Sequence, residues 1–222
     1  MDTPAPLIFL SYSTLDKDIA GRLKILLGAL GMQCFLAHED IAPSAEWESK
    51  IVEQLRTCDA FVPILTTNFP KSDWTDQETG AAIGLGKMIL PLKIGIDPYG
   101  FIAKYQALKV GVNVASSAIR RIVTTLEHDT RLGKKVRVAV IVNFLESNTF
   151  KDAAASSERL LWFDSYEQDE LTSILKGSCR NNQIYDSFGA AKHLEALISK
   201  NKDKIPKVLL SVYRAFRADL KS

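Results

Sequence analysis

Trp74 and Glu78 stand four residues apart in the stretch SDWTDQETGAAIGLGKMILPLKIG, with Gly80, Gly84, Gly86 and Lys87 close behind. Glycines beside a lysine suggest a phosphate loop. That loop needs GxxxxGK followed by Ser or Thr, between a strand and a helix. Here Met88 follows Lys87, Ala81 stands five before Gly86, and the glycines come after a helical pattern rather than before it. Gly80, Gly84 and Gly86 also have the wrong order for a dinucleotide fingerprint. Structural roles are expected instead: Gly80 and Gly84 allow close packing on a sheet, and Gly86 ends the helix. Trp74 and Glu78 share one helix face by their spacing. Two readings of the pair stand on spacing alone. One is a tryptophan packed at a sheet edge beside a solvated acid. The other is an aromatic wall and a carboxylate in one site.

Other candidates are fewer. Ser11, Ser13 and Thr14 follow the first apolar run. They suit capping of a first helix with help from Asp16, and the same groups could hold a phosphate or ribose. His38-Glu39-Asp40 looks like a metal cluster, but three adjacent residues cannot all point inward, and no second His or Cys completes the set. No metal is expected. His38, His128 and His193 have no obvious partners for a Ser-His-Asp arrangement. Cys34, Cys58 and Cys179 are odd in number and far apart, which suits a reducing, cytoplasmic setting and no zinc site. A net charge of +2 makes no global case for nucleic acid or membrane partners. No apolar run approaches the roughly 20 residues of a membrane span, and the N-terminus reads as a strand, not a signal peptide.

The elements that must position these residues alternate. Leu7–Tyr12, Met32–Ala37, Ala60–Leu65 and Met88–Lys93 read as buried strands, with Gln106–Val110 as a fifth, edge strand. Pro63 counts against the third, since proline removes a ladder donor. Helices are expected at Asp16–Leu30 (Ile19, Leu23, Leu26, Leu27 and Leu30 inward), Ala45–Thr57 (Ile51, Val52 and Leu55 inward), after Trp74, and at Ser116–Leu132. Strand and helix in turn mean a parallel sheet covered on both faces. Five strands favour a flavodoxin-like order, 2-1-3-4-5, with ligands at the carboxyl ends between strands one and three. Ser11–Thr14 and Thr66–Asp73 should border that crevice. Residues 1–133 form this α/β domain. Residues 134–222 read as a small, mainly helical region. Val136–Leu145 is ambiguous between strand and helix and is taken as helix. Ser165–Gln168 fits a capping box.

The assembled motifs resemble the Toll/interleukin-1 receptor (TIR) domain family, in its bacterial, NAD-cleaving branch. FLSYSTLDKD is similar to the family's first box. HEDIAPSAEWESKIVEQLRTCDAFVPILTTNF is similar to its second-box loop, helix and third strand. SDWTDQETGAAIGLGKMILPLKI is similar to the unit that bears the catalytic glutamate. The resemblance covers about residues 5–130. The loop departs from the pattern by having Pro43-Ser44-Ala45 where a glycine is common. The resemblance implies cleavage of NAD at the nicotinamide–ribose bond, giving nicotinamide and ADP-ribose or a cyclic isomer, in antiviral defence signalling. NAD is then a substrate, with no cofactor. Glu78 would be the catalytic acid and Trp74 a pocket wall. Ser11, Tyr12 and Ser13 would border the nucleotide, and Asp40 and Trp47 would belong to the second-box loop. The implied partners are further TIR domains and a downstream effector answering a cyclic product. A non-enzymatic interaction module and a nucleotide sensor without chemistry are the alternatives. Glu78 separates them from the enzyme.

Overall fold

The computed structural model describes residues 3–36 and 47–219. They fall into two compact units, one of Ala5–Gly133 and one that joins the N-terminal residues up to Pro4 with the chain from Lys134 onward. The first contains β1 (Leu7–Ser11), α1 (Lys17–Gly28), β2 (Gln33–Leu36), α2 (Trp47–Thr57), β3 (Ala60–Leu65), α3 (Thr75–Gly84), β4 (Met88–Ile89), β5 (Leu92–Lys93), β6 (Leu108–Lys109) and α4 (Ser116–Glu127). The sheet order is β2-β1-β3-β5-β6, with β4 also on β3, and every pairing is parallel.

The expected strand Met88–Lys93 is split into β4 and β5, so the sheet has six strand segments where five strands were expected. Counted as one broken strand, they restore the flavodoxin-like order. The break has a physical cause. Ala60 pairs with Met88 and Ile64 with Leu92. The register therefore runs unbroken and sets Pro63 opposite Pro91. Neither has an N–H, so the ladder cannot close between them. Pro63 sits inside β3 all the same, paired with Ser11 on its other side.

Aromatic side chains fill the centre. Phe9 lies 5.2 Å from Phe35 and 5.6 Å from Phe61 between ring centroids. Ile51 and Leu55 of α2 and Phe69 pack into the same core. Each such fully buried side chain contributes about 1.5–3 kcal/mol of transfer free energy. Val52, expected inward, is 42% exposed, and Ile19 and Leu26 are only half-buried. Each stands next in sequence to a core position or three or four residues from one, at the rim of its helix's apolar stripe. Gly86 adopts φ 64° just after α3 and lets Lys87 N–H reach Ala82 O at 3.0 Å, ending the helix as expected. Gly80 and Gly84 do not pack closely: a Cβ at either would meet nothing within 4 Å.

The second unit is helical: α5 (Gly133–Leu145), α6 (Phe150–Arg159), α7 (Gln168–Ser178), α8 (Asn182–Tyr185), α9 (Phe188–Lys200) and α10 (Lys207–Asp219). The ambiguous Val136–Leu145 run falls in α5. The capping box of α7 pairs Glu167 with Glu170, not Ser165 with Gln168. The reason lies in α5, where Arg137 Nε donates to both oxygens of the fully buried Glu170 at 3.0 Å. That fixes the carboxylate where Glu167 N–H can reach it at 2.7 Å. A Cβ at Gly189 would lie 2.7 Å from Ala154 Cβ, so α6 and α9 meet at a residue without a side chain.

Candidate functional site

The carboxyl ends of β1 and β3 lie side by side, and the chain leaving β3 carries the site. After Leu65 it turns through a short 3-10 segment, Phe69–Lys71, anchored by the buried Phe69. Thr75 Oγ1 donates to Phe69 O at 2.7 Å, and Thr79 Oγ1 to Thr75 O at 2.7 Å. Tyr99 O–H donates to Asp76 Oδ1 at 2.6 Å. The first turn of α3 is thereby held both by the turn before it and by the loop after β5. This fixes the direction of Glu78.

Glu78 is 3% exposed. Ser11 Oγ, at the end of β1, donates to its Oε2 at 2.6 Å. Its Oε1 has no hydrogen-bond partner among the described residues. Burial pushes its pKa up from 4.5 to about 7, and the Ser11 hydrogen bond opposes that rise. A cavity of about 280 Å³ opens beside it. Trp74, at the N-cap of α3, and Gln77, Glu78 and Ala81 within it line one side, and Glu48, Ile51, Val52 and Leu55 of α2 the other. The i, i+4 relation puts Trp74 and Glu78 on one wall. An aromatic face and a poised carboxylate in a largely apolar cavity can hold a flat ring and stabilise nearby positive charge.

Ser11, Tyr12 and Ser13 are all buried, and none of them lines the cavity. Ser11 reaches it only through Glu78. The expected capping of α1 is absent: neither Ser13 nor Asp16 makes a side-chain cap bond. A 3-10 turn, Thr14–Asp16, precedes the helix, and the Asp16 carboxylate reaches across to the segment after β3. It accepts from Thr66 Oγ1 at 2.5 Å and Asn68 Nδ2 at 3.0 Å. The two segments expected to border one crevice are thus tied together. Trp47 is the first residue of α2, with its side chain outside the described part. Asp40 lies outside the described residues.

Glu48 is a cavity-lining residue, and Asp16 a tie behind the site, whose places the sequence does not mark directly. The one signal for Glu48 is that 48, 51, 52 and 55 follow helical spacing on one face. Asp16 left no such signal, since its partners lie 50 and 52 residues away in a loop. Among the described residues no group of three or more His, Cys, Asp or Glu could hold a metal ion. No helix among them is long and apolar enough to cross a membrane.

A family model described as "TIR domain" matches residues 8–123. No curated protein matches the chain. Among solved structures, the chain is similar to the TIR domain of a Toll-related receptor from Hydra magnipapillata. The two are 17% identical over 46% of this chain and 81% of that one, with a TM-score of 0.41. It is also similar to a 2-desoxiribosyltransferase from Leishmania mexicana, 21% identical over 50% of this chain and 79% of that one, with a TM-score of 0.36.

Proposed function

The chain belongs to the TIR domain family, and from that premise we propose that it is a signalling enzyme that cleaves NAD between nicotinamide and ribose. The observation that carries the proposal is Glu78: buried, bonded to Ser11 through one oxygen, and without a partner among the described residues at the other, beside a cavity walled by Trp74. A glycosidase needs a second carboxyl to protonate its leaving oxygen. Nicotinamide departs from a cationic pyridinium as a neutral molecule, so one carboxylate is sufficient. The C1′–N bond breaks and its electron pair stays on the ring nitrogen. The ribose gains oxocarbenium character, which the ionised Glu78 stabilises by charge and by hydrogen bonding to ribose hydroxyls. Trp74 stacks on a flat ring and excludes water. Water then adds at C1′ and loses a proton, giving ADP-ribose. With water held off, an adenine nitrogen or ribose hydroxyl adds instead, giving a cyclic isomer.

The test is NAD turnover by purified protein at high concentration, with products separated, for wild type and Glu78→Ala. Loss of at least a hundredfold in the variant is expected, by analogy with removal of one transition-state electrostatic partner. Equal NAD loss in both would sink the assignment. No loss in either, under conditions that force assembly, would favour an interaction module working by TIR–TIR contact alone.

A further inference from the structure

The cavity beside Glu78 contains a second carboxylate and, among the described residues, no cationic side chain. Glu48 stands in the first turn of α2 and lines the cavity from that side. It makes no hydrogen bond or ion pair among the described residues, whereas Glu53 on the same helix is paired with Lys50 at 2.7 Å. Among the described residues neither Lys nor Arg lines the cavity. The unpartnered Oε1 of Glu78, itself 3% exposed, belongs to the same cavity. This balance is wrong for phosphates and suited to a cation. Trp74 adds a π face, which attracts cations, and Ile51 and Leu55 supply a low-dielectric floor.

We propose that Glu48 is the charge-selecting residue of this cavity, favouring the oxidised, cationic pyridinium ring of a nicotinamide nucleotide over its neutral, reduced form. The assignment rests on the NAD-cleaving reading for its substrate, but not for its ring chemistry. Glu48 acts on the ground state. As the C1′–N bond breaks, positive charge moves off the ring toward the ribose and Glu78, so the attraction to Glu48 fades. An interaction that fades in this way stabilises the bound substrate more than the transition state, so it lowers KM and kcat together and leaves kcat/KM nearly unchanged.

The experiment titrates two phosphate-free rings of nearly the same shape, the cation 1-methylnicotinamide and neutral nicotinamide, followed by NMR chemical shifts. The proteins are wild type, Glu48→Gln and, as a control for general surface charge, Glu53→Gln. Wild type is expected to prefer the cation. Glu48→Gln is expected to weaken cation binding about two- to fivefold, in the upper range for an exposed ionic partner, and to leave nicotinamide binding unchanged. Glu53→Gln should match wild type. Equal losses for both rings, an unchanged preference, or no binding of either ring to wild type would overturn the assignment. In steady-state assays Glu48→Gln should raise KM for NAD and kcat by similar factors, with kcat/KM nearly unchanged; a fall in kcat at constant KM counts against it. A wild-type protein that shows the ring preference yet leaves NAD intact under assembly would overturn the chemistry at Glu78 and leave Glu48 standing.

Discussion

Glu78 is held in a tension that can be measured. Burial raises its pKa to about 7 and the Ser11 hydroxyl pulls the other way. The ionised form is the one that stabilises positive charge, so NAD turnover is expected to rise as pH goes from 6 to 8. Ser11→Ala removes a bond to the charged form. The rise should then move to higher pH, and a profile that moves down or stays put would contradict the pairing. The same shift acts on stability. Between pH 4.5 and 7 the folded protein holds this proton more tightly than the unfolded chain. Stability therefore falls as pH rises through that window, by on the order of 3 kcal/mol in full. Glu78→Gln is expected to abolish turnover and to stabilise the protein by about 1–3 kcal/mol at pH 8, with the gain vanishing near pH 4. Denaturant unfolding of both proteins at the two pH values checks it.

Elements differ in how clearly the sequence announced them. Ala60–Leu65 was legible to the residue despite Pro63, because a run of buried apolar residues bounded by polar ones leaves little choice of register. α3 was legible through its tryptophan, acid and terminal glycine, and the site pair on it followed from one helical turn. The cap of α7 was misplaced because its partner, Arg137, is 33 residues away from Glu170. Asp16 was assigned to the wrong bond for the same reason: a short polar side chain has local and distant options, and only the fold selects between them. Gly80 and Gly84 were over-read, since a glycine in a helix need not mark a close approach. Gly189 is where one does. Gly189→Ala would press a methyl onto Ala154 Cβ, and a loss of about 1–3 kcal/mol is expected from overpacking, despite alanine's better helix propensity. Thermal unfolding of the variant reads it directly.

At the scale of the whole molecule, two compact units share one chain. A protein ending at Gly133 is expected to keep the parallel sheet and the Glu78 environment, seen as an unchanged pH response of its tryptophan signals. Collapse of that shorter chain would show the helical unit to be obligatory. Assembly acts on the same scale. If neighbouring TIR domains complete the site, NAD turnover per molecule should rise with protein concentration, and a flat dependence from nanomolar to high micromolar would exclude it. The facing prolines, Pro63 and Pro91, bear on how this molecule opens. With the rungs missing there, β3 holds its outer neighbours through two pairs of two residues each. Hydrogen exchange is therefore expected to reach the Leu92 amide well before those of Phe9 and Leu10, since short pairings give the lower opening free energies. The flank of the sheet beyond β3 becomes a separately opening layer. The cleft that carries Glu78 is lined by helices that pack on β1 and β3, so it stays with the part of the sheet that persists when the flank lets go.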